Sequence, residues 1–220
     1  MIGCGRPRTR PTVPLAVATL LACSSATAPE RPLNRDECLD MADFEPPAES
    51  PWCLPYAEGT GYLVTQSYCS APGRSHFLRY AYDFQMPMAT EILAARDGQV
   101  VELREQWPDS GTTGGEENVV ILEHEDGTLS LYIHMMQNGI TVELGDTVRQ
   151  GDLLGYVGMS GTSFSHLHFQ VCLRGGMCSW KTGEWTLPVN FRNVQGELDE
   201  AGGLAEGVTY AAGVCRQPAP

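Results

Sequence analysis

His166-Leu167-His168-Phe169-Gln170-Val171-Cys172-Leu173 combines β-formers with a pair of histidines two residues apart. In a strand, residues i and i+2 point to the same face. The imidazoles of His166 and His168 therefore converge on one spot, and Leu167 turns to the opposite side, towards a core. On a helix the two rings would diverge. A lone histidine is usually structural, whereas two that converge on a strand favour a metal or catalytic site.

The neighbouring sequence has the same texture. Tyr62 to Thr65, Glu91 to Ala95, Gln99 to Leu103, Asn118 to His124 and Leu129 to His134 are short β-rich runs. Asp97-Gly98, Glu125-Asp126-Gly127, Gly145-Asp146 and Gly151-Asp152 separate them as turns. No helical period of useful length appears, so the chain reads as all-β, mainly antiparallel hairpins closing as a sandwich or barrel-like sheet. The polar stretch 104–117 breaks the rhythm and is either the rim of a substrate groove or an insertion.

The chain has five histidines in all: His76, His124, His134, His166 and His168. In Leu129-Ser130-Leu131-Tyr132-Ile133-His134, alternation turns Leu129, Leu131 and Ile133 one way and Ser130, Tyr132 and His134 the other. Asp83 sits between Tyr82 and Phe84, an apolar setting in which a carboxylate needs a metal, a cation or several donors. Pairing with Arg79 or capping a turn are the structural alternatives. His76 and Asp83 share no regular-element spacing, so a loop must join them. His124 precedes the Glu125-Asp126-Gly127 turn and reads as a surface residue.

The order His76, Asp83, Tyr132-x-His134, His166-x-His168-Phe169 resembles the lysostaphin/LytM-type zinc endopeptidases. Three further stretches are similar to that family: Ala81 to Thr90 to its Asp-aromatic-x-x-Pro-x-Gly-Thr segment, Ala94 to Val101 to its Asp-Gly-x-Val hairpin, and Val142 to Gly155 to its repeated Val-x-x-Gly run. The resemblance covers about residues 54–175 and implies a LytM-like barrel-sandwich of two sheets with long surface loops. It implies one Zn2+ held by His76, Asp83 and His168, with His134 and His166 as the catalytic histidines. Two imidazoles and a carboxylate leave a fourth position for water, whose pKa zinc lowers to about 7. It further implies hydrolysis of stem or cross-bridge peptides in peptidoglycan. The alternative is a regulator of the same fold that activates another wall hydrolase. The chain departs from the family pattern in three places. The His76 to Asp83 interval is long, Ala89 replaces the usual Gly, and Gly158 to Ser165 is short and lacks a Gly-Pro before His166.

The N-terminus reads as an export signal. Arg6, Arg8 and Arg10 precede a short apolar run, Val13 to Ala22, ending in the lipobox-like Leu20-Leu21-Ala22-Cys23. Lipidation of Cys23 would anchor the chain to a membrane of the cell envelope, the outer membrane if the cell has one. An ordinary cut after Ala28 is the alternative, and Pro29 disfavours it. Residues 24–53 read as a Pro- and acid-rich tether, 54–192 as the peptidase domain, and 193–220 as an acidic Gly/Ala-rich tail tied back by Cys215. Cys38, Cys53, Cys69, Cys172, Cys178 and Cys215 remain beyond the leader and suggest disulfides. Of the 15 pairings, Cys172–Cys178 across a hairpin turn is the one that can be argued. The net charge of −13 excludes nucleic acid as a partner. The expected state is a monomer.

Overall fold

The computed structural model describes residues 35–40, 42–74, 76, 79–110, 115–174 and 186–215. Among them the elements in chain order are α1 (Arg35–Asp40), β1 (Gly61–Gln66), β2 (Ala81–Gln85), β3 (Glu91–Leu93), β4 (Gly98–Arg104), β5 (Val119–Glu123) and β6 (Thr128–Ile133). There follow β7 (Met135–Ile140), β8 (Thr147–Val148), β9 (Leu153–Val157), β10 (Leu167–Leu173), β11 (Val194–Gln195) and β12 (Thr209–Ala212). The all-β, two-sheet expectation holds. A nine-stranded sheet runs β11-β12-β1-β2-β10-β6-β5-β4-β8, and a three-stranded sheet runs β3-β9-β7. All the ladders are antiparallel. The β5–β6 hairpin turns at Glu125-Asp126-Gly127, where Asp126 Oδ1 accepts from Thr128 N at 3.0 Å and Gly127 adopts a φ of 79°.

The cross-strand register decides which side chains share a face. In the central strands Phe169 lies opposite both Tyr82 and Tyr132, and Leu167 lies opposite Phe84. These apolar groups join Val120, Leu122 and Val171 in the main core, with Ile92, Met135, Leu154 and Val157 of the small sheet. Burying one such side chain stabilises by about 1.5–3 kcal/mol. On the other face His168 lies opposite Asp83 and Ile133. That face carries a second, smaller apolar cluster of Val119, Leu131, Ile133 and Cys172. The sheet therefore has a greasy side that builds the fold and a mixed side that presents His168 and Asp83.

Both ends of the described region are fastened to this body. Cys38 of α1 is bonded to Cys69, and Cys53 to Cys215. Ser50 Oγ donates to Asn190 O at 2.6 Å, and Leu54 N donates to Asn193 Oδ1 at 2.8 Å. Within the segment read as a tail, β11 and β12 extend the large sheet, and Tyr210 is fully buried. Cys172 is disulfide-bonded, while Cys178 lies outside the described residues. The leader, Cys23 and the tether up to Asn34 also lie outside them. No helix among the described residues is long and apolar enough to cross a membrane.

Candidate metal centre

His168 belongs to β10 and faces Asp83 of β2 across the ladder, so strand pairing alone brings these side chains together. His76 arrives from the loop between β1 and β2. That loop is closed by Cys69 N donating to Arg79 O, by Arg79 N donating to His76 O, and by the Cys38–Cys69 bond. His76 Nε2 lies 3.0 Å from Asp83 Oδ1 and 3.1 Å from His168 Nδ1, and His168 Nδ1 lies 3.0 Å from Asp83 Oδ1. All three residues are buried.

The outer nitrogens fix the proton positions. His76 Nδ1–H donates to Ser67 O at 3.1 Å, and His168 Nε2–H donates to Gln170 Oε1 at 3.0 Å. A carbonyl oxygen can only accept, so in the neutral rings the inner nitrogens carry lone pairs. Two imidazole lone pairs and a carboxylate oxygen then point at one another out of water, an arrangement that only a cation relieves. Ligand atoms 2.0–2.1 Å from one ion at tetrahedral angles lie about 3.3 Å apart, close to the separations found. The donor set therefore fits a small divalent cation that takes N and O ligands. Burial alone would raise the Asp83 carboxyl. When the metal-free imidazoles carry an extra proton, the His76 charge and the hydrogen bonds from both rings outweigh burial and hold it well below the usual carboxylate range.

His134 and His166 stand beside this triad. Their ring centroids are 4.5 Å apart, and His134 is 6.2 Å from His168. His166 Nε2 lies 3.6 Å from Asp83 Oδ1. Here too Nδ1–H is engaged by a backbone carbonyl: Ser160 O for His134 at 2.7 Å and Phe164 O for His166 at 3.1 Å. Ser160 is itself held, accepting from Asn118 N and donating to Met135 O. The Phe164 ring stacks on His166 at 4.3 Å. Burial, then the charges of His166 and His168, push His134 down to about 3, so its imidazole is neutral at physiological pH. Burial also lowers His168.

Two sequence expectations need correction. Strict alternation put Tyr132 and His134 on one face. In the structure Tyr132 is on the core side, 5.3 Å from Phe169 and accepting from Ala95 N at 2.8 Å. His134 follows the end of β6 with a φ of 67°, a left-handed residue that breaks the alternation and joins the His166 group. His124, read as a surface residue, is buried. Its ring nitrogens bond Asp97 O and Ser130 Oγ, and Trp52 packs edge-on against it at 4.8 Å. Its residue type gave no sign of this, because the Trp52 segment that covers it is distant in sequence.

Sequence reasoning also missed the supporting groups. Gln170 was visible in principle, because it lies two residues beyond His168 on the same strand face. The carbonyls of Ser67, Ser160 and Phe164 carry no side-chain signal. The described part of the 104–117 loop lies against the segments flanking His134. Asp109 accepts from Gln137 N at 3.0 Å and from Met159 N at 2.8 Å, and Trp107 N donates to Asn118 Oδ1. Residues 111–114 lie outside the described residues.

Fold and donor set define an all-β domain with a buried His-Asp-His candidate metal centre flanked by two further histidines. Residues 78–178 match Peptidase family M23. Over 120 residues the chain is 32% identical to glycyl-glycine endopeptidase ALE-1 of Staphylococcus capitis, covering 54% of this chain and 30% of that protein. Over 84 residues it is 31% identical to lipoprotein NlpD of Yersinia enterocolitica, covering 38% of this chain and 78% of that protein. The catalytic domain of the M23 protein EnpA from Enterococcus faecalis aligns with a TM-score of 0.45 at 25% identity, covering 60% of this chain and 93% of that one. The chain belongs to peptidase family M23. It spans less than a third of the length of ALE-1.

Proposed function

We propose that the protein is a zinc-dependent endopeptidase that hydrolyses peptide bonds in the stem or cross-bridge peptides of peptidoglycan. The observation that carries this reading is the convergence of His76 Nε2, His168 Nδ1 and Asp83 Oδ1 at 3.0–3.1 Å, with both outer imidazole nitrogens already bonded. These three residues would hold the ion. When bound, zinc supplies Lewis acidity towards the scissile carbonyl and acidifies a water.

The chain's own groups manage the protons. His134 and His166 each have Nδ1–H bonded to a carbonyl, so each presents Nε2 to the site. A neutral imidazole there takes the proton of the attacking water. Once charged, it donates to the developing oxyanion or the leaving amine. The backbone partners keep both rings in the tautomer this requires. Residues 54–192 carry the site in this reading, and the flanking segments that join the large sheet and its core complete the body around it. A lipid on Cys23 would hold it at the cell envelope facing the wall.

The relation to NlpD, a lipoprotein, gives the lipid anchor its support and keeps a regulator of another wall hydrolase as the second reading. Such a regulator would not need His134 or His166. Variants separate the two. His134→Ala and His166→Ala should keep stoichiometric zinc and lose turnover of cross-bridge peptides by at least about a hundredfold. Full wall-hydrolase stimulation by variants lacking these imidazoles, with no turnover by the wild type, would favour the regulator.

A further inference from the structure

Arg79 is unused by the chemistry above, and its setting is unusual. Only 7% of the residue is exposed. Its Nε is sealed from solvent with no acceptor, and no ion pair or side-chain hydrogen bond engages the guanidinium among the described residues. Arg79 N donates to His76 O, so a single turn holds it beside the first candidate ligand. The carboxylate whose charge acts on it is that of Asp83. Asp83 does not pair with it: the carboxylate oxygen is taken up by His76, His166 and His168.

A buried guanidinium with no direct acceptor or ion pair among the described residues is costly. Here a divalent ion would add two positive charges a short distance away, against the one carboxylate of Asp83. Nothing in the triad needs a second cation, and a purely structural role would call for an acceptor within the protein. The guanidinium fork matches a carboxylate in a bidentate manner, which a lysine would not.

We propose that Arg79 anchors a carboxylate of the peptide substrate beside the metal centre. The inference rests on reading the site as a peptidase centre. It makes the enzyme selective for peptides that carry a free carboxylate close to the scissile bond. That carboxylate is either the chain terminus or an acidic side chain, and a set of probes distinguishes the two.

The test measures binding, by calorimetry, to the zinc-loaded chain. Three N-acetylated tripeptides of equal length serve as probes: one with a free C-terminal carboxylate, one amidated with a side-chain carboxylate, and one amidated and neutral. The wild type should bind one of the two carboxylate peptides about tenfold or more tighter than the neutral one, which names the source. Arg79→Met should lose that preference while retaining zinc and an undiminished Tm, because it removes a buried cation that has no direct partner among the described residues. Arg79→Lys should keep only part of the preference. No preference in the wild type would overturn the proposal, as would a preference that survives Arg79→Met. Loss of zinc or of stability in Arg79→Met would assign the residue to the framework of the site instead. If the preference appears but no peptide is cleaved, the carboxylate anchor stands and the peptidase reading fails.

Discussion

Replacing Gln170 with Leu should weaken zinc binding without harming the metal-free fold. Gln170 is fully buried, and its Oε1 accepts from His168 Nε2–H at 3.0 Å. That bond holds the imidazole with Nδ1 facing Asp83. Without it, the Nε2–H loses its acceptor, and the other tautomer, with its proton pointed into the donor set, gains population. Loss of such an outer partner costs about 10–100-fold in metal affinity, or about 1.4–2.8 kcal/mol. The opposite effect acts on the metal-free chain. Gln170 Nε2 is buried without an acceptor, and leucine removes that orphan at similar volume. The lost bond and the relieved orphan roughly cancel, so the metal-free Tm should move by no more than a few degrees. Competition with a chelating dye gives the affinity, and calorimetry gives the Tm. Unchanged zinc affinity in Gln170→Leu would refute the claim that this bond orients the ligand.

Three further outcomes follow from the same structure. Tyr132→Phe should cost about 1 kcal/mol through the lost bond from Ala95 N and leave zinc content and turnover unchanged. A large loss of kcat would instead place Tyr132 in the catalytic group. Ala89→Gly should raise stability by about 1 kcal/mol, because Ala89 is exposed and held at a φ of 62°; a fall in Tm would contradict that strain. Acid should destabilise the metal-free chain. His134 is lowered from 6.5 to about 3 in the fold, so between those values the unfolded chain binds a proton that the folded one refuses. Stability is full above about pH 6.5 and falls by about 1.4 kcal/mol per pH unit for each such group as pH drops. His168 and His124 are lowered too and add to the slope, and Asp83 extends the loss below the usual carboxylate range. Denaturant titrations at pH 7.5, 6 and 5 read this directly, and a flat or rising trend would contradict it.

The strand-forming β-branched runs and their turns were legible in the sequence because period two and turn chemistry are local. The pairing of His166 with His168 followed from the same rule. Met135 to Ile140 was not read as a strand, since its Met, Gln, Asn and Gly carry little β signal and its pairing with β9 supplies the order. Thr209 to Ala212 was hidden in a Gly- and Ala-rich tail and is fixed by β1, roughly 150 residues away. Likewise Cys53 and Cys215 are separated by 162 residues, and cysteine counting cannot pair them. His134 escaped the face assignment because one left-handed residue reverses the alternation. Arg79 drew notice in the sequence as a partner for Asp83, whereas the geometry gives that carboxylate to three histidines.

The most direct measurement pairs zinc content with product release from purified peptidoglycan, for the wild type and for His168→Ala. The account predicts one zinc per wild-type chain and soluble peptide fragments with new amino termini, with both lost in the variant. A wild type that binds no zinc and releases no fragments under conditions in which another wall peptidase is active would contradict it.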